Sequence, residues 1–156
     1  MPRCLTKYQG EMEYEEQAAL DFPRGLFGFE TETRFLTIEQ PALRPLVFLQ
    51  SLSTPELCFI CLPVFVVDRE YCLSLRTEDL EAVGLPADRP LAIGTDVLVL
   101  AIVRIEPGRA GTANLLAPVV VNRQNSKAIQ AVSLNQKHTH QAALPAPCEE
   151  SEPVCS

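Results

Sequence analysis

Short apolar runs, separated by proline, glycine and charged residues, dominate the chain. Arg34-Phe35-Leu36-Thr37-Ile38 alternates apolar and polar positions and predicts a strand. Leu46 to Leu52 is a second short run, and Leu57 to Leu62 is almost continuously apolar between Pro55 and Pro63, the pattern of a buried strand. Phe65-Val66-Val67 leads to a turn at Asp68-Arg69-Glu70, and Tyr71 to Leu75 predicts the next strand. Asp96 to Ile105 is the strongest strand signal, closed by a turn through Pro107, Gly108 and Gly111. Thr112 to Ala117 follows; Pro118 interrupts its ladder because it has no N–H, and Val119 to Asn122 resumes. A turn at Asn122 to Ser126 leads to a last strand over Lys127 to Leu134.

One helix stands out. Thr77 is placed to cap it, Glu78 and Asp79 suit its positive N-terminal end, and Gly84 stops it. Eight to ten short strands, about ten residues apart and with one short helix, predict an all-β fold, a small antiparallel barrel-like domain. Strand–helix–strand alternation is missing, which argues against a parallel α/β sheet. Residues 1–10 show no periodicity and read as a flexible leader. Residues 11–144 form the folded domain, and the polar, proline-containing stretch 145–156 reads as a disordered tail.

Charge narrows the function. The chain of 156 residues carries a net charge of −7, the wrong sign for neutralising phosphates or docking on an anionic membrane. A basic protein is the easier partner. The acidic surface also favours a monomer. Tryptophan is absent and aromatics make up only 6%, which argues against a base-stacking platform. No apolar run reaches the roughly 18 residues of a membrane span and no secretory signal is visible, so the expected compartment is the cytoplasm.

Six cysteines, at 4, 58, 61, 72, 148 and 155, make a poor disulfide framework and read as free thiols. Cys58-x-x-Cys61 has a metal-site spacing, but on a strand residues i and i+3 face opposite sides, so the pair reads as small core side chains. His138-x-His140 would share a strand face, yet no nearby carboxylate completes a metal set; it reads as an exposed polar edge. Glu11, Glu13, Glu15 and Glu16 read as a solvated strand face rather than a catalytic pair. No nucleophile elbow, P-loop or dinucleotide fingerprint is present, so nothing here asks for an enzyme or a cofactor. Gln50-Ser51, Asn114 and Asn122 stand out as polar residues inside apolar strands. Buried, they must find partners; Asn122 suits a bend, and Asn114 suits a register-fixing or protein-contact role.

Four blocks resemble the flagellar assembly factor FliW family. They are Phe22-Pro23-x-Gly25-Leu26-x-Gly28-Phe29-Glu30, Leu49-Gln50-Ser51-Leu52, Leu57-Cys58-Phe59-Ile60 before Pro63, and the eleven residues Thr112 to Asn122. The resemblance covers about residues 11–144. The last strand departs from it with Ala128-Ile129-Gln130-Ala131-Val132, as does the closing segment around His138, Gln141 and Ala143-Leu144. The resemblance implies a non-enzymatic cytoplasmic regulator that binds CsrA, a basic RNA-binding dimer repressing flagellin translation, and binds flagellin in exchange. Flagellin capture would use an apolar groove for a helix or terminal segment. Candidate contacts are Phe27, Glu30, Glu32, Asn114, Asn122 and Gln124, together with the acidic Glu11, Glu13 and Glu15. The competing classes are a small-molecule-binding β-barrel, including a flavin-type enzyme, and a metal protein built on Cys58, Cys61, Cys72 or the histidines.

Overall fold

A computed structural model describes residues 1–135 and 137–144. These residues form β1 (Arg3–Thr6), β2 (Gly10–Glu13), β3 (Ala19–Asp21), β4 (Arg34–Ile38), β5 (Val47–Ser51), β6 (Cys58–Pro63), β7 (Val97–Arg104), β8 (Thr112–Asn122), β9 (Ala128–Gln130) and β10 (Ala142–Ala143). Two short helices, α1 (Val64–Val67) and α2 (Thr77–Ala82), lie in the excursion between β6 and β7. Strands β3 to β8 pair antiparallel in chain order, and β9 and β10 both pair with β8. Asp21 then bridges Lys127 beside β9, its N–H donating to the Ser126 carbonyl at 2.9 Å. That contact nearly closes the sheet into a barrel, the antiparallel all-β fold the sequence predicts.

The near-continuous apolar runs follow from a sheet buried on both faces. Inside the barrel, Phe22, Phe35, Leu49, Cys61, Leu100 and Val119 are fully buried together. Side chains alternate along a strand, so Val97, Val99 and Ala101 of β7 point outward into a second core. The excursion between β6 and β7 covers this core with Val64, Tyr71, Leu75 and Val83. A third, smaller core lies outside β4 to β6, where Leu36, Ile38 and Phe48 pack under Cys4, Met12 and Tyr14.

Several local expectations are corrected. The segment read as a flexible leader contains β1, which pairs with β2 from Arg3↔Glu13 to Thr6↔Gly10. Its Cys4 packs on the outer core, an anchor too short to show as periodicity. Phe65 to Val67 is part of helix α1, and Tyr71 to Leu75 is extended coil whose Tyr71 and Leu75 are buried without joining the sheet. Thr77 does not cap α2; Arg76 holds the cap position and makes no capping bond from its side chain to the helix backbone. The last strand is only Ala128–Gln130. Pro118 does not split β8. Leu100 pairs with Val119 but Ile102 with Asn114, so β8 bulges between the two halves of one strand. The expected tail at 145–156 lies outside the described residues.

Candidate partner-binding surfaces

The polar residues inside the strands turn out to fasten turns. Gln50 is fully buried. Its Oε1 accepts the Lys7 N–H at 2.9 Å, and its Nε2 donates to the carbonyls of Ser51, Pro55 and Leu57 at 3.0–3.2 Å. It ties the β1–β2 turn and the β5–β6 turn to one side chain. Asn114 holds the β8 bulge, its Oδ1 accepting the Ala117 N–H at 2.9 Å. Asn122 is buried; its Nδ2 donates to the Val83 carbonyl at 2.8 Å and its Oδ1 accepts the Gln124 N–H at 3.0 Å. It anchors the end of α2 to β8. Gln124 itself is exposed at this turn.

The acidic candidates divide in the same way. Glu11, Glu13 and Glu15 are exposed on or just after β2, where Arg3 pairs with Glu13 at 3.1 Å and with Glu11 at 3.5 Å. A cleft beside this hairpin is lined by Glu13, Glu15 and Glu39 over Met12, Tyr14 and Ile38. Glu32 is partly buried and takes bonds from the hydroxyls of Ser51 and Thr54, which orders the β5–β6 turn. Exposed Glu30 accepts the Gly28 N–H at 3.0 Å.

Phe27 occupies a different kind of surface. Leu26 and Phe29 exchange backbone bonds of 3.2 and 2.7 Å across a tight turn with Phe27 and Gly28 at its tip. Gly28 has φ +86°, as the third position of a type II turn demands. The Phe27 N–H donates to Gln130 Oε1 at 2.9 Å, and Gln130, buried, also donates to the Ala117 carbonyl at 3.2 Å. The turn is thus fixed from beneath while the Phe27 ring is 53% exposed. Next to it Val132 and Leu134 are 49% and 54% exposed. The three side a groove of about 380 Å³ whose polar end is Arg24, Arg76 and Asp79.

Asp79 is buried at that end. Arg24 donates to its Oδ1 at 2.9 Å, and Arg76 donates to both carboxylate oxygens at 3.2 Å. Burial pushes the Asp79 carboxyl up, but the bonds from Arg76 and Arg24 outweigh it and hold the carboxyl below its usual range. Both guanidiniums remain about half exposed.

The cysteines and histidines separate. Cys58 packs in the outer core and Cys61 inside the barrel, on opposite faces of β6. Burial pushes the Cys58 thiol up to about 11 and raises that of Cys61 further. His138 is not on an exposed edge: it is buried, stacks on Tyr71 at 4.1 Å between ring centroids, and its Nε2 meets the Cys72 carbonyl at 3.1 Å. His140 is exposed. Among the described residues no three His, Cys, Asp or Glu side chains converge to hold a metal ion. Among the described residues the barrel interior is packed with buried apolar side chains, Phe22, Phe35 and Leu49 among them.

Sequence reasoning named Phe27 as a candidate contact but missed what surrounds it. Arg24, Arg76, Asp79, Gln130, Val132 and Leu134 come from three separate stretches. The one local signal was Arg76 and Asp79, an opposite-charge pair three residues apart where α2 begins.

The family model described as "FliW protein" matches residues 3–144. A flagellar assembly factor FliW from Syntrophomonas wolfei is 30% identical over 99% of this chain and 97% of its own. The one from Treponema pallidum is 38% identical over 80% and 79%, and the one from Bacillus subtilis 33% over 86% and 90%. A crystal structure of the flagellar assembly factor FliW superposes with a TM-score of 0.80 at 27% identity, over 93% of this chain and 98% of that one. With the family model spanning nearly the whole described chain and a solved relative sharing its barrel, this chain belongs to the FliW family of flagellar assembly factors.

Proposed function

We propose that this flagellar assembly factor works as a cytoplasmic, non-enzymatic regulator that binds the translational repressor CsrA and flagellin in exchange. Bound to CsrA, it relieves repression of flagellin synthesis; accumulating flagellin draws it away. The observation that carries the reading is the charge of the molecule. At −7, with Glu11, Glu13 and Glu15 exposed along one hairpin, it complements a small basic RNA-binding protein. Complementary charge raises the association rate and penalises wrong partners. A binding change at one partner that alters affinity for the other must be reciprocal.

Titration calorimetry of the chain into CsrA from the same organism, repeated with flagellin present, tests the reading. Saturable binding that weakens with salt and is abolished by flagellin supports it. Binding indifferent to flagellin removes the exchange, and no binding to either folded partner removes the function.

A further inference from the structure

We infer that the outer edge of β2 is a docking edge for an extended protein segment, added as a further strand, whose side chains alternate between basic and apolar. The segment is defined by this chemistry, whichever protein carries it. The open edge follows from the ladder. Tyr14 donates its N–H to the Pro2 carbonyl at 3.0 Å, so these two face each other at a bonded position. Bonded and non-bonded pairs alternate along an antiparallel ladder. Cys4↔Met12 is therefore bonded, whereas Arg3↔Glu13 and Leu5↔Glu11 are not. The N–H and C=O groups of Glu11 and Glu13 consequently point away from β1. Among the described residues no strand pairs with β2 on that side. Ala18 donates to the Glu15 carbonyl at 2.8 Å and ends the open stretch. An unpaired edge is a template for another strand, and this one offers the donors and acceptors of Glu11 and Glu13.

The edge is in place before anything binds. Cys4, Met12 and Tyr14 pack on Leu36, Ile38 and Phe48 outside the sheet, and the Lys7 N–H is bonded to buried Gln50. A strand already held has little ordering entropy left to lose. Beside it lies a cleft of about 510 Å³ whose apolar lining includes Met12, Tyr14 and Ala18. Successive side chains of a strand point to opposite faces. In an added strand, those turned inward meet this apolar lining, and those turned outward stand beside Glu11 and Glu13, which are exposed. The alternation of the guest is thus dictated by the host.

Charge then selects the guest. Glu11 and Glu13 share one cation, Arg3, at 3.5 and 3.1 Å. Glu15 and Glu39, which line the cleft with Glu13, make no ion pair among the described residues. These carboxylates outnumber the one guanidinium and leave the edge acidic. Charges on an edge strand ordinarily guard it against pairing with its own kind, and here the guard has a single sign. A second copy of β2 would lay glutamate against glutamate, and like charges opposite each other destabilise a pair. A strand with Lys or Arg opposite Glu11 and Glu13 gains from the same rule, because opposite charges across a pair stabilise it.

The test uses the full chain and two end-blocked synthetic peptides of identical composition, one alternating Lys and Val and one with the lysines and valines in separate blocks. Titration calorimetry should show the alternating peptide binding about 10-fold tighter or more. Amide exchange read by NMR should slow by about 10-fold or more at Glu11 and Glu13 when this peptide is added, while Met12 and Tyr14, already bonded to β1, change little. Methylating the backbone nitrogen of every lysine, or of every valine, should abolish binding for one set and spare it for the other, since one edge of the peptide meets β2. Glu13→Lys, at an exposed position and checked for folding by circular dichroism, should weaken the alternating peptide by about 10-fold. No binding by the alternating peptide, binding equal to that of the block peptide, or no protection at Glu11 and Glu13 overturns the docking edge. Equal effects of the two methylations overturn strand addition. Full binding by folded Glu13→Lys overturns selection by charge. A concentration-dependent dimer of the chain in sedimentation that the alternating peptide dissociates makes a second copy the occupant and overturns the basic segment.

Discussion

Gln50→Glu exchanges one NH2 group for oxygen and leaves shape almost unchanged. In the wild-type chain that nitrogen lies 3.0 Å from the carbonyls of Ser51 and Pro55 and 3.2 Å from that of Leu57. An ionised carboxylate there meets three carbonyl oxygens in a fully buried site. An uncompensated buried charge costs about 3–5 kcal/mol. Gln50→Leu removes the polar group altogether and leaves the Lys7 N–H and the Pro55 carbonyl without this partner, at roughly 1–3 kcal/mol each. Water reaches exposed Lys7, so the leucine variant should lose about 2–3 kcal/mol in total. At about pH 7 the glutamate variant is therefore the less stable of the two. Protonation returns one donor to the site, so its carboxyl is held above the unfolded value of about 4.3. The sign follows. A group with a raised folded value contributes its stability fully below about pH 4.3 and loses it as pH rises through the folded value. Urea denaturation at about pH 7 and about pH 5, each against wild type at the same pH, should show Gln50→Glu recovering on acidification and Gln50→Leu unchanged. A glutamate variant as stable as the leucine variant at neutral pH, or one that worsens on acidification, would refute the account of Gln50 as a donor to three carbonyls.

The remaining predictions concern other fastenings. Asn122→Ala removes bonds to the Val83 carbonyl and the Gln124 N–H; Asn125 still reaches Val83 at 3.1 Å, so the loss should be about 1–2 kcal/mol. Amide hydrogen exchange should show it as faster opening of α2 than of β7. A Cβ at Gly25 would sit 2.6 Å from the Glu30 backbone at φ +65°, whereas at Gly28 it meets open space. Gly25→Ala should therefore lower the thermal midpoint much more than Gly28→Ala, which bears only the conformational penalty of about 1 kcal/mol. Asp79→Asn removes the charge that Arg24 and Arg76 pair with. Because the wild-type carboxyl is held low, its contribution is present above about pH 4 and fades as pH falls, so the variant should be less stable by about 1–2 kcal/mol near neutrality and should match wild type in strong acid.

The parts of the fold legible in the sequence are those decided by a local pattern. β4, β5 and β7 are runs whose alternation or continuity names a strand. The opposite-face argument for Cys58 and Cys61 holds because both lie on one regular strand, β6. Tyr71 to Leu75 has the same apolar look and is coil, because its side chains cover the outside of the sheet instead of joining its ladder. Gln50, Asn114 and Asn122 announced themselves as polar residues in apolar runs, but their partners lie up to 43 residues away and no spacing rule names them. The groove beside Phe27 was legible only as one exposed aromatic on a glycine turn. Its floor and its charged end come from Gln130, Arg76 and Asp79, which tertiary structure alone brings to residue 27.

The bond between Phe27 and Gln130 joins residues 103 positions apart, and this sets an order in time. A ribosome adding about 5–20 residues per second needs roughly 5–20 s to pass from one to the other. During that interval the Phe27 turn has no floor, and the seam between Asp21 and Ser126 stays open. The first third of the chain therefore waits on the last for its shape. An unfinished copy ending before residue 130 presents an exposed phenylalanine on a turn without a floor, so the finished surface around Phe27 exists only on completed chains.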